Sequence, residues 1–246
     1  MKKLINTVLS RLGYQIRNPK KEALRHKYDK WNFLKKFRFG TIIDVGANEG
    51  QFAEEILAVF PAAEVHSFEP LADCYSKLRT AFANNKQVHT YNCALGEESG
   101  EITFSRSSAS PSSSLLKMGS LHKKLYPHTA TLIEEKVAIK RLDEVLAGIP
   151  FHHYSLLKID VQGAEEKVIG GAPAILGKID IVITEVSYAV LYENQPLFRD
   201  IHNLLEKYGL IYIGNMEQFA NPNSGAPLFA DAIFVKRSLY DQLYSA

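Results

Sequence analysis

From Thr41 onward, short apolar or β-branched runs alternate with stretches whose apolar residues recur every three or four positions. TIIDV (41–45), EVHSFE (64–69), VHTYNCAL (88–95), YSLLKIDV (154–161) and IDIVITEV (179–186) read as strands. QFAEEILAVF (51–60), ADCYSKLRTAF (72–82), a segment from Gly163 and another over 197–208 read as helices. Alternation at this interval predicts βαβ units, and therefore an α/β fold with a doubly wound, mostly parallel sheet. GEESGEITF (96–104) reads as a turn and a strand. A further strand is expected near 132–141, a short helix over 143–146, and two last strands at LIYIG (210–214) and DAIFV (231–235). SRSSASPSSS (105–114) has the composition of a polar loop, either solvated or a lid beside a site. Before Thr41, Leu4, Ile5, Val8, Leu9 and Leu12 recur at helical spacing until Gly13 and Asn18-Pro19 end the pattern. A second helical stretch with Tyr28, Trp31, Phe33, Leu34 and Phe37 leads to Gly40. The predicted organisation is a helical arm over 1–39 and one domain over 40–246.

Charge changes this picture at the arm. Residues 1–38 hold 12 Lys/Arg against Glu22 and Asp29, whereas the remainder holds 17 bases against 25 acids. A basic arm on an acidic body suits an anionic partner, or docks on the body itself. The arm helix combines its apolar face with Lys2, Lys3 and Arg11, which predicts weak contact with an anionic membrane surface. It lacks the interleaved aromatic platform of a single-strand nucleic-acid binder, so nucleic acid is not an expected partner. The first residues contain Asn6, Thr7, Ser10 and Arg11 where a signal peptide needs an apolar stretch, and no run reaches the ~18 apolar residues of a membrane span. Two cysteines, Cys74 and Cys93, make neither a disulfide framework nor a zinc site. The expected location is the cytoplasm, with peripheral contact at the inner face of the membrane.

IIDVGANEG (42–50) places a glycine turn between the first strand and the first helix, where open α/β sheets bind ligands. The dinucleotide fingerprint G-x-G-x-x-G fails here: counted from Gly46, its later glycines fall on Asn48 and Gln51. Glu49 adds a carboxylate where a helix N-terminus would otherwise attract pyrophosphate. A ligand with a cationic centre and no phosphate suits the turn better, and S-adenosylmethionine is one. Glu69 ends the second strand 23 residues after Gly46, where an acid can accept from both ribose hydroxyls.

IIDVGANEG, FEP (68–70), NCALGEESGEITF (92–104), SSSLL (112–116), RLDEVL (141–146) and LLKIDVQGAEEKVIGG (156–171) occur in the order and spacing of the FkbM-type methyltransferases, which the chain resembles over about residues 40–236. KIDVQGAE is the most specific of these segments. The resemblance implies S-adenosylmethionine-dependent methyl transfer to a hydroxyl oxygen of a sugar, a polysaccharide or lipid-linked precursor or another natural product. It also implies a Rossmann-like, seven-stranded sheet with the last strand antiparallel. By position, Asp44, Gly46, Asn48 and Gly50 line the methionine end of the cofactor, Glu69 holds the ribose, Asn92 and Ala94 lie along the adenine, and Asp160 sits near the transferred methyl. Gln162 stands where the family often has Glu.

Asp160 leaves an apolar strand at the sheet's functional edge and is the candidate general base; the bland alternative is a cap for the helix beginning near Gly163. Lys158 lies on the same side by alternation and is expected to pair with Asp160 or to reach outward. Glu185 ends the neighbouring strand, but two carboxylates are a thin site for a divalent ion, so no metal is expected. His152 and His153 read as surface residues. The competing functions are a nicotinamide-dependent oxidoreductase, disfavoured by the altered glycines, and a non-catalytic cofactor-binding scaffold.

Overall fold

The computed structural model describes residues 29–107, 115–126 and 132–245. The arm's amphipathic helix and most of the Ser-rich loop lie outside the described residues. The chain divides into two units, 1–36 and 37–246. In the first, the described part contains a short 3-10 turn, Asn32–Leu34, and the Asn32 amide donates to Asp29 at 3.0 Å.

Among the described residues the second unit has ten strands: β1 Phe39–Val45, β2 Glu64–Phe68, β3 Val88–Tyr91, β4 Ala94–Leu95, β5 Gly100–Ser107, β6 Leu132–Lys140, β7 Tyr154–Ile159, β8 Ile181–Ser187, β9 Leu210–Ala220 and β10 Pro227–Lys236. Seven form one sheet in the order β3-β2-β1-β7-β8-β10-β9. All pairings up to β8 are parallel, and β10 runs antiparallel to both neighbours. This is the mostly parallel seven-stranded α/β sheet expected. β1, β7 and β8 sit at its centre, and their runs of Ile, Leu and Val are buried almost throughout, as strands covered on both faces must be.

The helices turn apolar stripes onto this sheet. α1 (Gln51–Val59) buries Ala53 and Ile56, and α2 (Ala72–Ala81) buries Cys74 and Leu78. α3 (Ser120–Leu125) and α4 (Leu142–Val145) are short; α5 (Glu165–Gly170) buries Val168 and Ile169, and α6 (Pro173–Leu176) buries Ile175 and Leu176. α7 (Phe198–Glu206) buries Ile201 and Leu205, and α8 (Arg237–Tyr244) buries Leu239. The largest cluster of buried apolar side chains runs from Ile43 and Val45 through Leu157 and Ile159 to Val182, Ala232 and Phe234.

One feature departs from the expected layout. VHTYNCAL is not a single strand: β3 ends at Tyr91, and Ala94–Leu95 joins a separate three-stranded sheet, β4-β6-β5. The Asn92 amide marks the break, donating to the carbonyls of Glu69 (2.9 Å) and Pro70 (3.0 Å).

Candidate active site

The sheet order reverses between β1 and β7, and the carboxyl ends of these strands open a crevice there. Three backbone bonds shape the turn after β1: Gly46 and Ala47 N–H donate to Phe68 O (3.1 and 2.9 Å), and Asp160 N–H donates to Val45 O (3.0 Å). Gly46 has φ +84°, and a Cβ there would lie 1.9 Å from the Asp160 carbonyl oxygen, so only glycine fits so close to β7. The crevice is a cavity walled by Gly46 and Asn48 on one side and Phe68, Glu69 and Leu71 on the next. Ala94, Leu95, Phe104 and Leu115 form the far wall, and Asp160 and Gln162 stand at the end of β7. The small second sheet therefore serves the cavity, since β4 and β5 supply part of its apolar wall.

Gly46, Asn48, Glu69, Ala94 and Asp160, five of the residues singled out in the sequence, line this one cavity. The other three, Asp44, Gly50 and Asn92, are not among its lining residues. Asp44 is 0% exposed beneath the turn. Gly50 turns toward α2, where a Cβ would meet Phe82 at 2.6 Å and Leu78 at 2.9 Å. Asn92 clamps the Glu69–Pro70 backbone rather than reaching the lining. Glu49, read as an obstacle to pyrophosphate, pairs with Lys77 at 2.6 Å on the exposed surface. The argument against a dinucleotide thus falls to Asn48 and Gln51, which stand where its fingerprint needs glycines.

Glu69 is 6% exposed. Its Oε2 accepts from Asn48 N–H (2.8 Å) and its Oε1 from Leu71 N–H (2.9 Å), which fixes the carboxylate plane between the first two βα turns. Burial pushes its pKa up to about 7; the two backbone bonds oppose that, and Asp44 and Asp73 add to it. Each oxygen keeps a lone pair for a hydroxyl donor, so the group fits a ribose diol. Phe68, Leu71, Leu95 and Phe104 offer the apolar walls a purine ring needs.

The Asp160 carboxylate is held on both of its oxygens. Lys158 Nζ lies 3.4 Å from Asp160 Oδ2 and 3.6 Å from Asp44 Oδ1, so one ammonium serves two carboxylates, as alternation along β7 led one to expect for Asp160. Burial works against the charge of Lys158, but Asp160, Asp44 and Asp231 together hold its pKa above the ordinary value. Gln162 Nε2 donates both to Asp160 Oδ1 (2.9 Å) and to Glu185 Oε2 (3.1 Å), while Gln162 Oε1 accepts from the Tyr192 hydroxyl (3.1 Å). The two carboxylates that could have shared a divalent ion share an amide. The pKa of Glu185 is raised well above the carboxylate range by burial and then by Asp160, Glu165 and Asp231. The Tyr192 phenol is also raised, by burial first and then by Glu185, Glu165 and Asp160, so it remains a donor.

Asp160 does not take the capping role considered for it. α5 begins at Glu165 without a side-chain cap at Ala164. Glu165 Oε1 instead accepts from the N–H groups of Val161 (3.1 Å) and Gly163 (3.1 Å), closing the loop that carries Gln162. Asp160, 37% exposed at its side chain, is left facing the cavity. Sequence reasoning missed Glu165 and Tyr192. Glu165 carried a signal, an acid two residues after a glycine within an apolar segment; Tyr192 carried none, because the loop after β8 places it.

Residues 44–212 match the family model of the methyltransferase FkbM domain. Among curated proteins, 2-O-methyltransferase NoeI of Sinorhizobium fredii is 28% identical over 176 residues, covering 69% of this chain and 72% of that protein. Methyltransferase 1 of Beauveria bassiana is 27% identical over 199 residues, covering 74% and 76%. Among solved structures, Aeropyrum pernix fibrillarin in complex with S-adenosyl-L-methionine superposes with a TM-score of 0.48 at 11% identity, over 87% of this chain and 74% of that one. With the family model spanning more than half of its length, this chain belongs to the methyltransferase FkbM family.

Proposed function

We propose that this protein transfers a methyl group from S-adenosylmethionine to a hydroxyl oxygen of a glycan, a lipid-linked sugar precursor or another hydroxylated natural product. The observation that carries the reading is the state of Asp160: a carboxylate at the cavity mouth, tied to an ammonium and an amide and left with lone pairs toward the open side. An alcohol is a poor nucleophile while it keeps its proton, and a fixed carboxylate within reach removes that proton as the new bond forms. The similarity to NoeI, a 2-O-methyltransferase, supports oxygen as the acceptor atom.

S-adenosylmethionine supplies an electrophilic methyl group on a sulfonium. Glu69 would accept from the ribose hydroxyls, the Gly46–Asn48 turn would let the amino-acid end approach the backbone, and Phe68, Leu71 and Phe104, which line the same cavity, would enclose the base. Asp160 orients the acceptor hydroxyl, takes its proton and passes it to solvent. Lys158 and Gln162 hold the carboxylate in one orientation, which avoids the entropy of finding it at each turnover. The basic arm, through residues such as Lys2, Lys3 and Arg11, brings the enzyme to anionic membrane surfaces where lipid-linked acceptors lie.

The test is incubation with methyl-labelled S-adenosylmethionine and fractionated glycan and lipid-linked precursors. Label is expected in a product that survives mild alkali, as an ether does. Label lost on alkaline treatment identifies a carboxylate acceptor and refutes the hydroxyl reading.

A further inference from the structure

Away from the cavity, Glu64, His66 and His89 bring their ligating atoms together, with one atom from each side chain within 4.8 Å of the other two. Glu64 and His66 occupy alternate positions of β2 and share a face. His89 is the register partner of His66 on β3, the edge strand. The two imidazoles stack with centroids 4.8 Å apart and planes 19° from parallel. His66 is 2% exposed; its Nδ1 lies 3.1 Å from the Tyr91 hydroxyl, while its Nε2 is buried without a hydrogen-bond partner among the described residues. A buried nitrogen left in that state is unfavourable, and nothing in the methyl-transfer site calls for it.

We propose that Glu64, His66 and His89 bind a divalent transition ion of the zinc class, which fastens the edge strand β3 to β2. Two imidazoles and a carboxylate form a donor set suited to Zn²⁺, and the exposure of Glu64 and His89 leaves the fourth position to water. Tyr91 is the outer partner such a ligand needs: Nδ1–H donating to its hydroxyl leaves the Nε2 lone pair for the ion. Tetrahedral bonds of 2.0–2.1 Å place ligand atoms about 3.4 Å apart. Binding therefore requires the exposed Glu64 and His89 side chains to rotate toward His66, which opens the stack of the two imidazoles. The clip also bears on the cavity, because β3 runs directly into Asn92, which holds the backbone of Glu69 and Pro70.

The full-length protein, stripped with a chelator and dialysed, is titrated with Zn²⁺ by calorimetry and with Co²⁺ by visible absorption, without any methyl donor or acceptor. One ion per chain is expected, with a rise in the unfolding temperature as it binds. His89→Ala, at an exposed position that the fold does not need, weakens binding about tenfold or more and abolishes the thermal shift. His152→Ala, which removes an exposed imidazole elsewhere, changes neither. Absence of stoichiometric binding, or equal affinity in the His89 variant, overturns the assignment, whatever reaction the cavity performs.

Discussion

Replacing Glu69 by Gln separates the cofactor role of this residue from its structural one. In the folded protein the carboxyl titrates at about 7, well above its ordinary 4.5, because it is buried. Two hydroxyl donors bind the ionised form better than the protonated one. Affinity for S-adenosylmethionine is therefore expected to be level above pH 7 and to fall as pH drops below it, by at most about tenfold per unit. Losing charge-assisted bonds to the diol costs about 1.5–3 kcal/mol, which is a rise in Kd of roughly tenfold to 150-fold at pH 8. Glu69→Gln also abolishes the pH dependence, since an amide does not titrate. The variant has a structural cost: its amide nitrogen faces either Asn48 N–H or Leu71 N–H, both of which donate to Glu69 in the native protein. Thermal unfolding, measured alongside calorimetry at pH 6, 7 and 8, shows whether the fold has survived. A wild-type affinity that stays flat from pH 6 to 8, or a folded Gln variant with native affinity, refutes the assignment of Glu69 to the ribose.

Asp160→Asn keeps an acceptor for Gln162 but removes the base, so turnover is expected to fall by about 10²–10⁴-fold with cofactor Kd unchanged; near-native turnover in single-turnover kinetics sinks the base role. Glu165 titrates at about 7 because of burial, above its unfolded 4.5, so its contribution to stability is full below the unfolded pKa and lost as pH rises through about 7. Glu165→Gln retains an acceptor for Val161 and Gly163, and is expected to raise stability at pH 8 by on the order of 2 kcal/mol while leaving it unchanged at pH 4; a loss at both pH values in denaturant titrations contradicts this. For the basic arm, flotation with anionic vesicles should carry the full chain at low salt and release it at high salt, whereas a chain starting at Gly40 stays behind. Equal behaviour of the two chains removes the membrane role.

What the sequence revealed follows the range of the interactions involved. β1, β7 and β8 were legible because central strands covered on both faces must be apolar throughout, and TIIDV, YSLLKI and IVITEV are. The turn after β1 was legible because its geometry demands a glycine at Gly46. The hairpin β9–β10 was read too short: Asn215, Glu217 and Gln218 in β9 are polar, and they pair with β10 without meeting the core. The second sheet was missed for a related reason. β4 has two residues, and no periodicity separates it from VHTY; the break comes from the Asn92 side chain gripping a loop more than 20 residues earlier. The pairing of Glu49 with Lys77 was not legible, because Lys77 lies 28 residues away on a helix whose packing the sequence does not state.

Gln162 shows the same limit from the side of chemistry. Against the family's frequent Glu it reads as a lost carboxylate, yet around it stand Asp160, Glu165 and Glu185, with Tyr192 close by. A third acid between Asp160 and Glu185 would have to be protonated or bind a cation, because like charges at hydrogen-bond distance cannot all stay ionised in a buried setting. An amide meets every demand at once: its nitrogen donates to both carboxylates and its oxygen accepts from a phenol that burial keeps protonated. The φ of +55° that lets the side chain span these partners is strained for a residue other than glycine, and the closure of the loop by Glu165 is what holds it there. The substitution is thus compensated by residues up to 30 positions away, and Asp160 keeps its fixed orientation without a third carboxylate or a shared ion.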